Sequence, residues 1–432
     1  MSLSHFITNI LNIESDMIES LDSIPQSDHS ILIKIKLVKD PSLVCPLCKG
    51  QINIHGYNSR KLIHSTLVNR KCTIIYSQRR YKCNSCNISF SEKNPFINTK
   101  ENVAIETKIN VLKDLKFTNN TYTSVAKRYN LSVTKVQRIF DHHVNIVRKN
   151  LPEVLSIDEH YFPESSYDSL YCCLLMDFNE GTLIDILPDR KKDYLLSYFE
   201  KIKNSTFDYK TGLSELDNVK YVSIDLYDAY KSVTITYFPH ALICADSFHV
   251  IKHLTESFKH VRLKCRRNTK DENLQYLLTK FKYVFNHDTL LDNKPKFNKK
   301  LNHYLNHRDI LELLFYHFPE LKLAYDLKES YISFNETCTI ENAKERLTDL
   351  VKAFADSNIK EDTDFYNLLI NWFQEIVNSF STVSGRRINN SYIESRNNQL
   401  DKLFFNANGF VNFKRTRNRI LYCINKSDTY KI

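Results

Sequence analysis

The chain has 432 residues, of which 42% are hydrophobic and 25% charged, and a formal net charge of +10. That is enough sequence for two to four domains with cores of their own, and it is too apolar for disorder to dominate. No apolar run approaches the roughly 18 residues of a membrane span. The opening Met1–Met17 lacks a basic stretch followed by an apolar one, so a signal peptide is not expected. The eleven cysteines are therefore expected as reduced thiols or metal ligands of a cytoplasmic protein, not as a disulfide framework.

The charge is uneven along the chain. Cys45–Lys100 carries ten Lys/Arg against one acid, Glu92, and Phe380–Ile432 carries ten against three. Two basic segments on a mildly acidic remainder point to a polyanion, most simply nucleic acid. A generally solvated basic surface is the plainer reading.

Residues 1–40 hold no chemical motif, but Ile31–Val38 alternates with a period of two and predicts a strand. Next come Cys45-Pro-Leu-Cys48 and Cys83-Asn-Ser-Cys86, separated by basic, strand-like sequence that includes Cys72–Tyr76 and Arg79–Tyr81. Two CxxC knuckles supply four thiolates, the closed shell of a structural Zn²⁺, so a zinc ribbon is predicted. Cys72 stands outside both pairs and reads as a small buried apolar residue. From Val103 the period becomes helical, with Ile105, Ile109 and Leu112 in phase. Ser124–Asn130 and Val133–Asp141 then predict two short helices across Leu131–Ser132, with Ser132 as an N-cap and Asn130 tolerant of positive φ. A helix-turn-helix would turn Thr134, Lys135, Gln137 and Arg138 toward DNA. An ordinary helical hairpin has the same pattern.

Leu151–Asp246 predicts an α/β unit. Val154–Ile157 reads as a strand ending at Asp158, followed by strands Leu170–Asp177 and Thr182–Leu187 and a helix over Lys191–Ile202. Apolar runs then lead to Asp225 and, through Ala241–Ala245, to Asp246, with a helix Asp228–Tyr237 between them. Three strand-end aspartates would converge at one sheet edge, outside the carboxyl ends of the strands, where α/β sheets hold ligands. Each aspartate taken singly reads equally as a helix cap or a turn. Ser247–Phe380 is helical in pattern with no strand run, a long helical insertion in which the lone Trp372 reads as core. Arg387–Phe404 is predicted as a helix with an apolar stripe of Ile388, Tyr392, Leu400 and Leu403. Its other face carries Glu394 with Arg387, Asn390, Asn397, Asn398 and Asp401, which by itself reads as a solvated face. Asn408-Gly409 predicts a turn, and the basic residues Lys414, Arg415, Arg417 and Arg419 follow.

This order of elements, with FPHALICADSFHVIKHL at Phe238–Leu254 and NGFVNFKRTRNRIL at Asn408–Leu421, resembles the ISL-three insertion-sequence family of bacterial DDE transposases from about Cys45 to Tyr422. The resemblance implies a multidomain α/β protein: an N-terminal segment (1–40), a zinc ribbon (41–100), a helix-turn-helix domain (101–150) and a ribonuclease-H-like catalytic core (151–250). A long all-helical insertion (251–380) interrupts the core, and a catalytic helix with a basic tail (381–432) closes it. It implies Asp158, Asp225 and Glu394 as a triad holding two Mg²⁺ or Mn²⁺ ions, because hard oxygen ligands suit these cations and a metal pair suits in-line displacement at phosphorus. The expected reaction is cleavage and strand transfer of double-stranded DNA, at the element's terminal inverted repeats and a target, by a homodimer or larger synaptic assembly in the bacterial nucleoid. Arg387, Lys414, Arg415, Arg417 and Arg419 are then expected to contact DNA. Asp246 and His249 form a D-x-x-H step expected to support the metal ligands from behind or to position DNA, with a purely structural role equally open. Asp246 competes with Asp225 for the second ligand position, while Glu159 and Asp228 are expected to point away. Two alternatives remain: a zinc-dependent DNA-binding regulator derived from such an enzyme, and a nuclease of the same fold that only hydrolyses.

Overall fold

Strand β2 (Ile31–Leu37) shows how directly residue alternation becomes structure here: Ile33 and Ile35 are fully buried while Lys34 between them is exposed. It pairs antiparallel with β1 (Ile18–Pro25) and parallel with β4 (Arg70–Cys83), which in turn pairs antiparallel with β3 (Ile52–Leu67) and with the short β5 (Ser89–Ser91). The residues before Asp40 thus add two strands to the sheet that follows them. In this computed structural model, residues 11, 13–67, 70–97, 101–162, 169–287, 289–292, 294–407 and 412–431 are described; the turn expected at Asn408-Gly409 lies outside them. The protein is mixed α/β, and its chain divides into two compact units, Met1–Val147 with Gln399–Ile432, and Arg148–Asn398.

In the first unit, Leu62, Cys72, Ile74, Tyr76 and Phe96 complete the core under the sheet. Burial pushes the Cys72 thiol up to about 11, as suits an inert core residue. A second core joins α1 (Ile105–Leu115), α2 (Tyr122–Tyr129), α3 (Val133–His143) and the C-terminal helix Phe413–Ile424 through Val111, Leu112, Val125, Val136, Phe140 and Tyr422. The link between α2 and α3 is built from its caps. Asn130 takes φ +55 at the end of α2, and the Ser132 hydroxyl accepts from the Lys135 N–H at the start of α3.

The second unit is built on a five-stranded sheet in the order β10-β9-β6-β7-β8, from β6 (Val154–Tyr161), β7 (Tyr171–Asp177), β8 (Thr182–Leu187), β9 (Tyr221–Ile224) and β10 (Leu242–Ala245). β6, β7 and β8 form an antiparallel meander, while β9 and β10 add parallel to β6. Parallel neighbours need crossovers, supplied by α4 (Lys192–Thr206) and α5 (Asp228–Tyr237). Phe199, Tyr230 and Val233 from these helices bury Leu155, Ile157, Cys173 and Leu175 of the sheet. From β10 the chain enters α6 (Ser247–Asn268), the first of the helices that run to Asn378 and enclose Leu277, Leu314, Tyr331, Leu347 and Trp372. Trp372 is core, as expected.

Three expectations are corrected. Asp158 does not end its strand: β6 continues to Tyr161 because its pairing with β7 runs on to Tyr161↔Tyr171. The helical region holds a small hairpin, Lys296–Asn298 with His303–Leu305, where the Asn298 side chain accepts from the Lys300 N–H and Asn302 takes φ +52. Local turn chemistry overrides the helical period there. The late helix starts at Ser391, not Arg387, because Thr382–Val383 and Arg386–Arg387 pair across Ser384 and Gly385, both at positive φ. Arg387 and Ile388 therefore precede the helix. Among the described residues no helix is long and apolar enough to cross a membrane.

Candidate active site

Strand register brings the aspartates together. Ile224 of β9 pairs with Ile157 on one side and Ala245 on the other. One residue further along each strand stand Asp158, Asp225 and Asp246, abreast and all buried, with 4%, 8% and 1% exposure. Sequence-distant carboxylates become neighbours because parallel strands in register share their carboxyl ends.

The outer two aspartates are fully engaged by the chain's own donors. Asp158 Oδ1 accepts from the Glu159 N–H at 2.6 Å, and its Oδ2 accepts from Asn397 Nδ2 at 2.8 Å. Asp246 Oδ2 meets His249 Nδ1 at 2.9 Å, and its Oδ1 accepts from the Asn390 N–H at 3.3 Å. Asp225, in the middle, shares a hydrogen bond with Asp158. Its Oδ1 lies 3.1 Å from His249 Nδ1, whose one N–H is directed at Asp246, and has no hydrogen-bond partner. Burial, then the charges of Asp158 and Asp246, push the Asp225 carboxyl up to about 10. Burial raises Asp158 as well; Glu394 is raised by burial and then by the charge of Asp246. Burial works against a charge on His249, but the hydrogen bond and charge of Asp246 outweigh it and raise it.

Glu394 arrives on the late helix Ser391–Ala407, tethered on its other side. Arg396 donates from Nε and Nη2 to the Gly181 carbonyl at 3.1 and 2.8 Å, and Arg386 donates to the Phe178 carbonyl at 3.1 Å. Gly181 sits at φ +61 with the Tyr392 ring 3.5 Å from where a Cβ would stand. Glu394 Oε1 is buried and unpartnered, as are Asn397 Oδ1 and both amide atoms of Asn390. Each such atom costs roughly 1–3 kcal/mol unless something fills the site. Crowded carboxylates with orphaned oxygens are a donor set for a hard divalent cation, and Asp225, Asp246 and His249 lie close enough to share one. The sequence reading put Asn390 and Asn397 on the face of Glu394 but gave them no role. Glu159 turns away to pair with Arg190, itself stacked between the Tyr171 and Tyr227 rings at 4.3 and 5.0 Å, and Asp228 is exposed.

A family model described as a transposase, of the ISL-three DDE type, matches residues 155–420, more than half of the chain. The chain belongs to the ISL-three family of DDE transposases. No curated protein matches it. Family membership makes it a DNA-recombining enzyme of an insertion sequence and implies DNA binding and the use of a divalent metal.

The transposase carries a second cluster in its first unit. The β3–β4 hairpin closes with Ile52 opposite Cys83, so its base brings both CxxC knuckles together. The Sγ atoms of Cys45 and Cys86 are 3.6 Å apart and those of Cys48 and Cys83 are 3.4 Å apart. These separations are far too long for a disulfide and near the ~3.8 Å edge of a tetrahedron with 2.3 Å Zn–S bonds. The knuckles match: Lys49 and Asn87 each follow the second cysteine at φ +58. The Cys48 N–H points at the Cys45 sulfur and lowers that thiol, and the Cys86 N–H points at Cys83 and brings it to about 6. The cluster fits zinc.

The residues expected to meet DNA divide in two. Thr134 and Arg138 on α3 and Lys414 are exposed, with Lys135 and Gln137 half-buried. The remaining arginines have internal work. Arg415 grips Asp141 at 2.6 and 2.8 Å, Arg417 donates to the Ile146 carbonyl at 2.8 Å, and the buried Arg419 donates to the Asn120 carbonyl at 2.7 Å. Arg387 donates to Ser379 O and Asn335 Oδ1 and lies 3.5 Å over the Phe380 ring, where burial pulls it down to about 10.

Proposed function

We propose that this transposase cuts and joins DNA at a ribonuclease-H-like centre in which Asp158, Asp225 and Glu394 hold a pair of Mg²⁺ or Mn²⁺ ions. The observation that carries the reading is the unpartnered Asp225 Oδ1 at the centre of three abreast aspartates, beside the unpartnered Glu394 Oε1. The sheet order, a meander with two parallel strands added to its first strand, supports the fold assignment. Between the two competitors, Asp225 is the ligand because its buried Oδ1 has no partner within the chain, and Asp246 is the holder of His249. The metal pair would stabilise the attacking and leaving oxygens of an in-line displacement at phosphorus. The buried, water-poor surroundings of the aspartates make that charge interaction stronger than it would be in solvent.

In this reading the four cysteines hold one structural Zn²⁺, and α2–α3 is a helix-turn-helix presenting Thr134, Lys135, Gln137 and Arg138 to the terminal inverted repeats. Lys414 reaches phosphate, while Arg387, Arg415, Arg417 and Arg419 brace the scaffold around the DNA-facing elements. Bringing two element ends together calls for a dimer or larger assembly.

The test is a strand-transfer assay with purified protein, Mg²⁺ or Mn²⁺, and DNA carrying the sequences that flank the gene, with Asp225→Ala alongside. Joined products that disappear in the variant are expected. Cutting without joining would make the chain a nuclease, and zinc-dependent binding with neither would make it a regulator.

A further inference from the structure

The late helix lies across the ends of the strands, and the spacing of its residues fits that crossing. From Asn390, whose carbonyl already accepts the helical bond from the Glu394 N–H, to Asn397 is seven residues, about 10.5 Å at 1.5 Å per residue. From β10 to β6 is two strand spacings, about 9.6 Å. Asn390 accordingly meets Asp246, the aspartate after β10, and Asn397 meets Asp158 on β6. Glu394 stands between them in sequence and feels the charges of both Asp246 and Asp158. Positions 390, 394 and 397 share one helix face, and the two outer aspartates are held from its ends, by the Asn390 main-chain N–H and the Asn397 side chain.

Resting on the proposed metal site, we infer that Asn397 is a positioning residue for that site: it orients Asp158 for the cation through Nδ2 while its own Oδ1 is left to accept from the cation's hydration shell. The charge of the side chain explains the choice. A lysine or arginine donating to Asp158 would neutralise the carboxylate and occupy the place of the cation. A neutral amide fixes the direction of the oxygen lone pairs and leaves the negative charge in place. The free Oδ1 separates this role from plain packing. A residue that served only to tie the helix to β6 would have no reason to bury an acceptor without a partner. Ligating carboxylates are commonly held by such outer hydrogen bonds, whose loss costs about 10- to 100-fold in metal affinity.

The experiment titrates Mn²⁺ into the zinc-loaded full-length protein, reading free Mn²⁺ by electron paramagnetic resonance, and records thermal midpoints with the site emptied of Mn²⁺. Asn397→Ala is expected to bind Mn²⁺ about 10- to 100-fold more weakly at a nearly unchanged midpoint. Asn397→Gln, which keeps an amide donor on a longer arm, is expected to recover part of the affinity, and it stands in should the alanine variant fail to fold. An Mn²⁺ affinity within twofold of wild type in both variants, whatever the midpoint does, overturns the inference and leaves Asn397 a structural tie. If wild-type protein binds no Mn²⁺ that Asp225→Ala abolishes, the metal reading itself falls, and this inference with it.

Discussion

The four-cysteine cluster and the proposed carboxylate site are made in opposite ways. The cysteines come from two short knuckles, each shaped by its own backbone N–H groups and a left-handed residue, and one hairpin brings the pair together. The carboxylates come from three strands and a distant helix, and only long-range register makes them neighbours. The thiolate set is closed on itself, four donors for a tetrahedral ion. The oxygen set keeps unpartnered atoms in a buried place. A locally built, closed site stabilises the chain around it; a remotely built, open one is held by the fold and strains it.

Metal removal separates them most strongly. Stripping zinc with a strong chelator, or Cys83→Ser, should unfold the base of the β3–β4 hairpin and abolish DNA binding, since structural zinc contributes on the order of 10 kcal/mol to such folds. Removing Mg²⁺ should leave the circular dichroism unchanged. A zinc-free protein that keeps its thermal midpoint and still shifts DNA would break the contrast. Next in size, Asp225→Ala should lower strand transfer by about 10³-fold or more while leaving the gel shift intact, in keeping with several kcal/mol of lost charge stabilisation. Stability should change with opposite sign at the two sites. In protein freed of Mg²⁺ at neutral pH, burial and its neighbours keep the Asp225 carboxyl protonated in the folded state although it ionises in the unfolded chain; Asp225→Asn removes that cost and should stabilise by about 1–2 kcal/mol in chemical denaturation, whereas any cysteine ligand variant destabilises. A loss of stability in Asp225→Asn would show that the aspartates are not in conflict. The smallest effect is expected at Gly50, where an added Cβ would lie 2.8 Å from Ser85 Oγ and 3.3 Å from Cys48 Sγ. The Ser85 hydroxyl can rotate aside, so Gly50→Ala should cost less than about 1 kcal/mol and weaken zinc retention against a competing chelator only a few-fold.

The same difference explains what could be read in advance. The CxxC pairs, the Asn130–Ser132 link and the alternation in β2 are local signals, and each recurs in the structure at the residues that announced it. Asp158, Asp225 and Asp246 were visible as aspartates after apolar runs, and their convergence followed once parallel strands were assumed. The partnership of Asn397 with Asp158 was not legible, because a polar helix face looks alike whether it meets water or a carboxylate. The internal duties of Arg387 and Arg419 were hidden for a related reason: a basic residue in a basic segment suggests phosphate, and only packing shows that carbonyl groups have claimed it.

The return of Gln399–Ile432 to the first unit bears on how copies of such a gene decay. Tyr422 packs in the core of α1–α3, with its hydroxyl on the Leu112 carbonyl at 2.9 Å. A frameshift or stop codon anywhere between Asn397 and Phe413 spares every candidate active-site residue yet deletes the helix that completes the core of the amino-terminal unit. A shortened product would therefore lose core packing in the unit whose larger part is translated first.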